Sequence, residues 1–187
     1  KDVKIQIEFN PALVKGYRLI GYENRVLAKE DFDDDAKDAG ELGAGHTVTA
    51  LYEIVPAGSD EELPGAGELK YQSTSVNQEA YRTREILTIK LRYKKPEGGS
   101  SIPLTTSLDA GDGSYRDMDQ DFRFACAVAA FGMLLRESEH RGDADYRMVL
   151  DLARNALGED PSGFKEPRGY RHEFLRLVEK AMLLDRR

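Results

Sequence analysis

The chain has 187 residues, of which 40% are hydrophobic and 33% charged, enough apolar material for the core of one large or two small domains. The formal net charge is −7, and seven acids, Glu30, Asp31, Asp33, Asp34, Asp35, Asp38 and Glu41, stand together against one base, Lys37, so this stretch alone carries six of those charges. Such a balance argues against nucleic acid or an anionic membrane as a partner, since both require a basic face.

Residues 2–10 place Val3, Ile5, Ile7 and Phe9 at alternate positions, the pattern of a half-buried strand, and Asn10-Pro11 ends it. Because Lys1 leads at once into this alternation, with neither an initiator methionine nor a leader, the chain is expected to begin inside a longer protein. Tyr17–Glu23 reads as a second strand, with Gly21 marking a bulge or a close backbone approach. The acidic stretch follows as a loop closed by Gly40, Gly43 and Gly45, and His46–Val55 alternates again until Pro56. From Pro56 to Gly67 the repeated glycines and prolines predict a mobile loop, followed by a short strand at Leu69–Gln72. Glu85–Lys95 and Ile102–Leu108 complete the strands, the second weaker than the first. Within Glu85–Lys95, Lys90, Arg92 and Lys94 alternate with Leu91 and Tyr93, which reads as the solvated face of a strand rather than a phosphate-binding patch.

After Asp109 the apolar period changes from 2 to 3.6. A first helix is predicted to start between Ser114 and Asp119, where Asp117, Asp119 and Asp121 suit the positive end of the helix dipole. Its body, Phe122–Leu135, is apolar nearly all round, as expected of a helix covered on several sides. The uncharged run within it is well short of the roughly 20 residues that span a bilayer, so no transmembrane segment is predicted. Cys126, the single cysteine, sits in this run and is read as a buried, inert thiol. A second helix, residues 143–157, stripes Tyr146, Val149, Leu150, Ala153 and Leu157, with Gly158 as its stop. A third, from Arg168, stripes Tyr170, Phe174, Leu177, Val178 and Ala181 and turns Arg171, His172, Arg176 and Lys180 outward.

Strands followed by helices define an α+β class: β-sandwich-like antiparallel sheets in residues 1–108, then a three-helix unit in residues 109–187, the two expected to pack as one structural unit. Five or six strands are few for a sandwich, which normally has about seven. A strand from upstream in a parent protein would fill the vacant place beside the first one.

Asp31, Asp33 and Asp35 offer hard carboxylate oxygens at alternate positions, as a calcium loop does. The EF-hand template then requires glycine and glutamate where this chain has Ala36 and Leu42, so the motif fails. A solvated acidic loop is the plain expectation, and a calcium-responsive binding module using residues 30–41 the alternative. His46, His140 and His172 have no partner at metal-ligand spacing, and neither HExxH, paired CxxC, GxSxG, GxGxxG nor a phosphate loop occurs. The expectation is therefore a protein without enzymatic activity and without a cofactor of its own. A hydrolase built on an unrecognised carboxylate pair would instead require a deep pocket lined by two carboxylates.

The strings DVKIQIEFNPALVKGYRLIGYENR, DFDDDAKDAGELGAGHTVTALYEIVP and LTIKLRYKKP resemble the region that follows the von Willebrand factor A domain in a family of uncharacterised bacterial proteins, the YfbK type. The resemblance spans nearly all of residues 2–187. It implies an A domain in the parent chain, commonly behind an export or lipoprotein signal, and hence the cell envelope or periplasm as location. Such A domains usually hold a divalent cation through a DxSxS motif. Here Asp112-Gly-Ser114 continues with Tyr115 and Arg116, and Asp160-Pro-Ser162 with Gly163 and Phe164, so no metal residue carries over. The resemblance thus implies an accessory, protein-interaction domain whose partners are the adjacent A domain and a further, unidentified protein.

Overall fold

A computed structural model describes residues 1–22, 26–63, 75–111, 113–114, 117–157 and 169–185. The chain divides into two compact units, Lys1–Gly111 and Asp112–Arg187. Among the described residues, five strands in antiparallel sheets are followed by three helices, an α+β fold as expected.

In the first unit β1 (Lys4–Phe9), β4 (Glu85–Lys95) and β5 (Gly98–Asp109) form one sheet in the order β1-β4-β5, while β2 (Val14–Ile20) and β3 (Leu51–Pro56) form a second. Registers follow the alternation of side chains. Lys4 lies opposite Arg92 and Arg92 opposite Pro103 on one face; Ile5, Leu91 and Leu104 form a row on the other, as do Ile7, Ile89 and Thr106. The β4–β5 hairpin closes over Pro96-Glu97 with Gly98 and Gly99 at φ 87° and 101°, a region that glycine enters without the penalty of a Cβ. Phe9 connects the sheets, its ring 4.4 Å from that of Tyr17 and 5.5 Å from that of Tyr52.

Several boundaries differ from the sequence reading. The second strand runs over Val14–Ile20 rather than Tyr17–Glu23, because its ladder starts at the bulge between Val14 and Gly16, and Gly21 turns out of it at φ 77°. Residues 46–50 alternate but are not strand; β2 supplies partners only from Leu51 onward. The last strand, by contrast, begins at Gly98, since closure of the hairpin carries glycines and serines into the ladder despite their low strand propensity. The short strand expected at Leu69–Gln72 and the stop at Gly158 fall outside the described residues.

The helical unit comprises α1 (Gln120–Leu135), α2 (Tyr146–Arg154) and α3 (Tyr170–Asp185). Asp119 and Asp145 cap the first two, their carboxylates accepting from the backbone N–H of Phe122 and Met148, each at 2.7 Å. Ala127, Ala130, Phe131 and Leu134 of α1, Val149, Leu150 and Ala153 of α2 and Leu175 and Val178 of α3 make the core, with Phe174 set edge-on to both Phe124 and Phe131. Two expectations need correction. α1 is not covered all round, for Val128 and Leu135 are 44% and 58% exposed. In α3 the inward face is turned by about one residue, taking in Leu175 and leaving Tyr170 and Leu177 exposed. Arg171 consequently faces inward, its guanidinium 5.0 Å from the Phe124 ring and donating to the Ala156 carbonyl and to Asp121.

Candidate functional site

The acidic stretch is not a free loop. It lies along the polar face of the β1-β4-β5 sheet, against the cations that alternate on β4 and β1. Lys4 is 4% exposed, and its ammonium donates to the carbonyls of Asp31, at 2.9 Å, and Asp34. A burial this deep is tolerated because the charge is met by oriented carbonyl dipoles. A short 3-10 turn at Lys29–Asp31 delivers those carbonyls and drives Phe32 inward, where it is 8% exposed. Further along, Gly40 accepts from the Val3 N–H at 2.7 Å and bridges the loop to the chain just ahead of β1.

Arg92 makes the central contact. Its guanidinium donates to Asp33 at 2.7 Å, to Asp35 at 3.1 Å and to the Ser101 hydroxyl at 2.6 and 3.0 Å. The Ser101 hydroxyl in turn donates to Asp35 at 2.6 Å, so one carboxylate is held by a guanidinium, a hydroxyl and the Ser101 N–H. Lys94 donates to the Asp2 carboxylate and to the Asp35 carbonyl, both at 2.8 Å. These contacts are unequal in weight. Asp33 is 85% exposed and its ion pair is worth little, whereas Lys94 and Asp2, at 17% and 19%, pair largely out of water. Hydrogen bonds from Ser101, assisted by the charges of Arg92 and Lys94, hold the Asp35 carboxyl below the usual range. The hydrogen bond from Lys94 does the same for Asp2, and its counterpart raises Lys94.

The sequence reading of Lys90, Arg92 and Lys94 as a solvated strand face thus holds poorly for Arg92 and Lys94, which the loop covers. Nor is the acidic stretch simply solvated. Asp31 gives its carbonyl to Lys4 and its carboxylate to Lys37 at 3.4 Å, and Asp33 and Asp35 are drawn to Arg92. Among the described residues, three carboxylates, those of Asp2, Asp38 and Glu41, offer oxygens within 4.8 Å of one another. Asp2 escaped the sequence reading because it sits far upstream; no local spacing announces it. Elsewhere, a cleft of about 690 Å³ at the end of the first sheet is lined by Glu8, Glu79 and Glu85, with Glu8 paired to Lys90 and Glu79 to Arg82. Cys126 is half-buried beside Phe122, Met148 and Leu152, and burial pushes its thiol up. No helix among the described residues is long and apolar enough to cross a membrane.

The family described as "Uncharacterized protein YfbK, C-terminal" matches residues 1–184, and the chain belongs to it. A relative from Escherichia coli (strain K12), named "Uncharacterized protein YfbK", is 40% identical over 185 residues. That match covers 97% of this chain but only 29% of the relative, so the chain spans under a third of the relative's length. No solved structure matches.

Proposed function

We propose that this chain is a non-enzymatic accessory domain that accompanies a von Willebrand factor A domain in a longer bacterial protein and makes protein–protein contacts at the cell envelope. The observation that carries this reading is the apolar side of the β1-β4-β5 sheet, where Ile5, Leu104 and Leu108 are 55%, 54% and 57% exposed on the same face. Apolar side chains gathered on one face, rather than scattered singly, mark a docking surface. Any divalent cation of the A domain belongs to that other module. The test is to purify the longer parent with this region present and with it deleted, and to compare the proteins retained. An unchanged set of partners sinks the reading. Thermal stability of this chain with and without the segment preceding it tests strand completion separately; equal melting removes that part alone.

A second reading, a calcium-responsive module using the acidic stretch, is favoured by the approach of Asp2, Asp38 and Glu41. Calorimetry with calcium decides it, using wild type, the double variant Asp33→Ala, Asp35→Ala, and the double variant Asp38→Ala, Glu41→Ala. Absence of binding heat at millimolar calcium in the wild type removes the idea.

A further inference from the structure

We propose that the outer edge of β5 is a self-association surface on which two copies of this chain pair antiparallel about Thr106. Among the described residues β5 is a terminal strand of its sheet and pairs with β4 alone. Pro103 to Asp109 are all exposed, and no charged residue occurs from Gly98 to Leu108. The other strands with an open side are defended in the usual way. β1 carries Lys4 and Glu8 and is bridged at its head by Gly40; β2 carries Lys15 and Arg18, and β3 carries Glu53. Charges on an edge discourage pairing with another chain, because a charge must either meet its like or be stripped of water. Beyond Ser101, whose N–H is taken by the Asp35 carboxylate, the edge of β5 as far as Leu108 carries no charge and is a template for a further strand.

The sequence of β5 is suited to one occupant in particular, a second copy. With a two-fold axis at Thr106, Leu104 lies opposite the partner's Leu108, Thr105 opposite the partner's Ser107, and Thr106 opposite the partner's Thr106. The first is an apolar pair and the other two are hydroxyl pairs, the kinds that stabilise neighbouring strands. Like charges meet nowhere between Leu104 and Leu108. The same register continues the apolar row Ile5–Leu91–Leu104 into the partner's Leu108, so both copies present their apolar faces on one side of a six-stranded sheet. A slip of one residue would put apolar and polar faces together. Centring on Thr105 would bring Pro103, which lacks an N–H, inside the ladder, whereas the Thr106 axis leaves it at the end. The contact is short beside the roughly 1,200–2,000 Å² of a standard stable interface, so association is weak and depends on concentration.

Sedimentation of the wild-type chain over a concentration series should show the mass rising from one chain to two. Thr106→Lys, which sets two ammonium groups opposite each other at an exposed position, should hold the mass at one chain. In a Cys126→Ser background, Thr106→Cys should cross-link under mild oxidation, since facing residues of an antiparallel pair are about 4.5–5.5 Å apart, within disulfide reach. Ile7→Cys, on the opposite edge strand, should not. A single-chain mass at the highest soluble concentration overturns the proposal. So does a dimer that survives Thr106→Lys, or one in which Thr106→Cys stays reduced. The cross-linking result stands whether or not the lysine variant folds.

Discussion

Lys4 is the side chain on which the acidic stretch depends most, because a buried ammonium and two loop carbonyls satisfy one another. Lys4→Met keeps the apolar stem and deletes the donor. It should cost about 1–3 kcal/mol, the penalty of leaving those carbonyls unpaired, read as a lower denaturation midpoint together with faster amide exchange across residues 29–41. Asp2 and Asp35 have carboxyls held below their ordinary value of 3.8, so their contribution is fully present above that pH and is lost as the pH falls through the depressed values. Lys94, raised above 10.5, contributes below that pH and loses its contribution as the pH rises through the elevated value. The loop should therefore stay closed between pH 3.8 and 10.5, as followed by the Ser101 amide resonance; opening near pH 6 would contradict the assignment.

Among the elements, α1 and α2 owe their starts to single carboxylates, and Asp119→Ala or Asp145→Ala should each lower stability by about 1 kcal/mol in chemical denaturation. Both starts were readable in outline, since acids preceding an apolar stripe are a local signal. The β1 and β4 alternations were equally readable, being set by side chains that are neighbours in sequence. Residues 46–50 show the limit of that logic, for alternation proposes a face but cannot supply the strand that would pair with it. The same limit hid the site. Taken locally, the acidic stretch and the β4 cations each have the pattern of a solvated segment, yet Arg92 and Asp33 meet across a separation of 59 residues, which no local window contains. The extra width of β5 was hidden for a different reason, since the turn, not the propensity of Gly98 to Ser101, extends it.

Over the whole molecule, the exposed apolar side of the first sheet should bind a hydrophobic dye in the native state. The double variant Leu104→Thr, Leu108→Thr should lower that fluorescence without lowering the melting temperature, because both positions are more than half exposed. A fall in melting temperature would mean that they serve the fold instead. Order along the chain matters here as well. Glu8 of β1 reaches Lys90 of β4 across 82 residues. At about 5–20 residues per second of translation, β1 leaves the ribosome roughly 4–16 s before the strand that completes it has also emerged. During that interval Val3, Ile5, Ile7 and Phe9 form an orphaned hydrophobic tract on the nascent polypeptide, a natural recognition segment for a holdase chaperone.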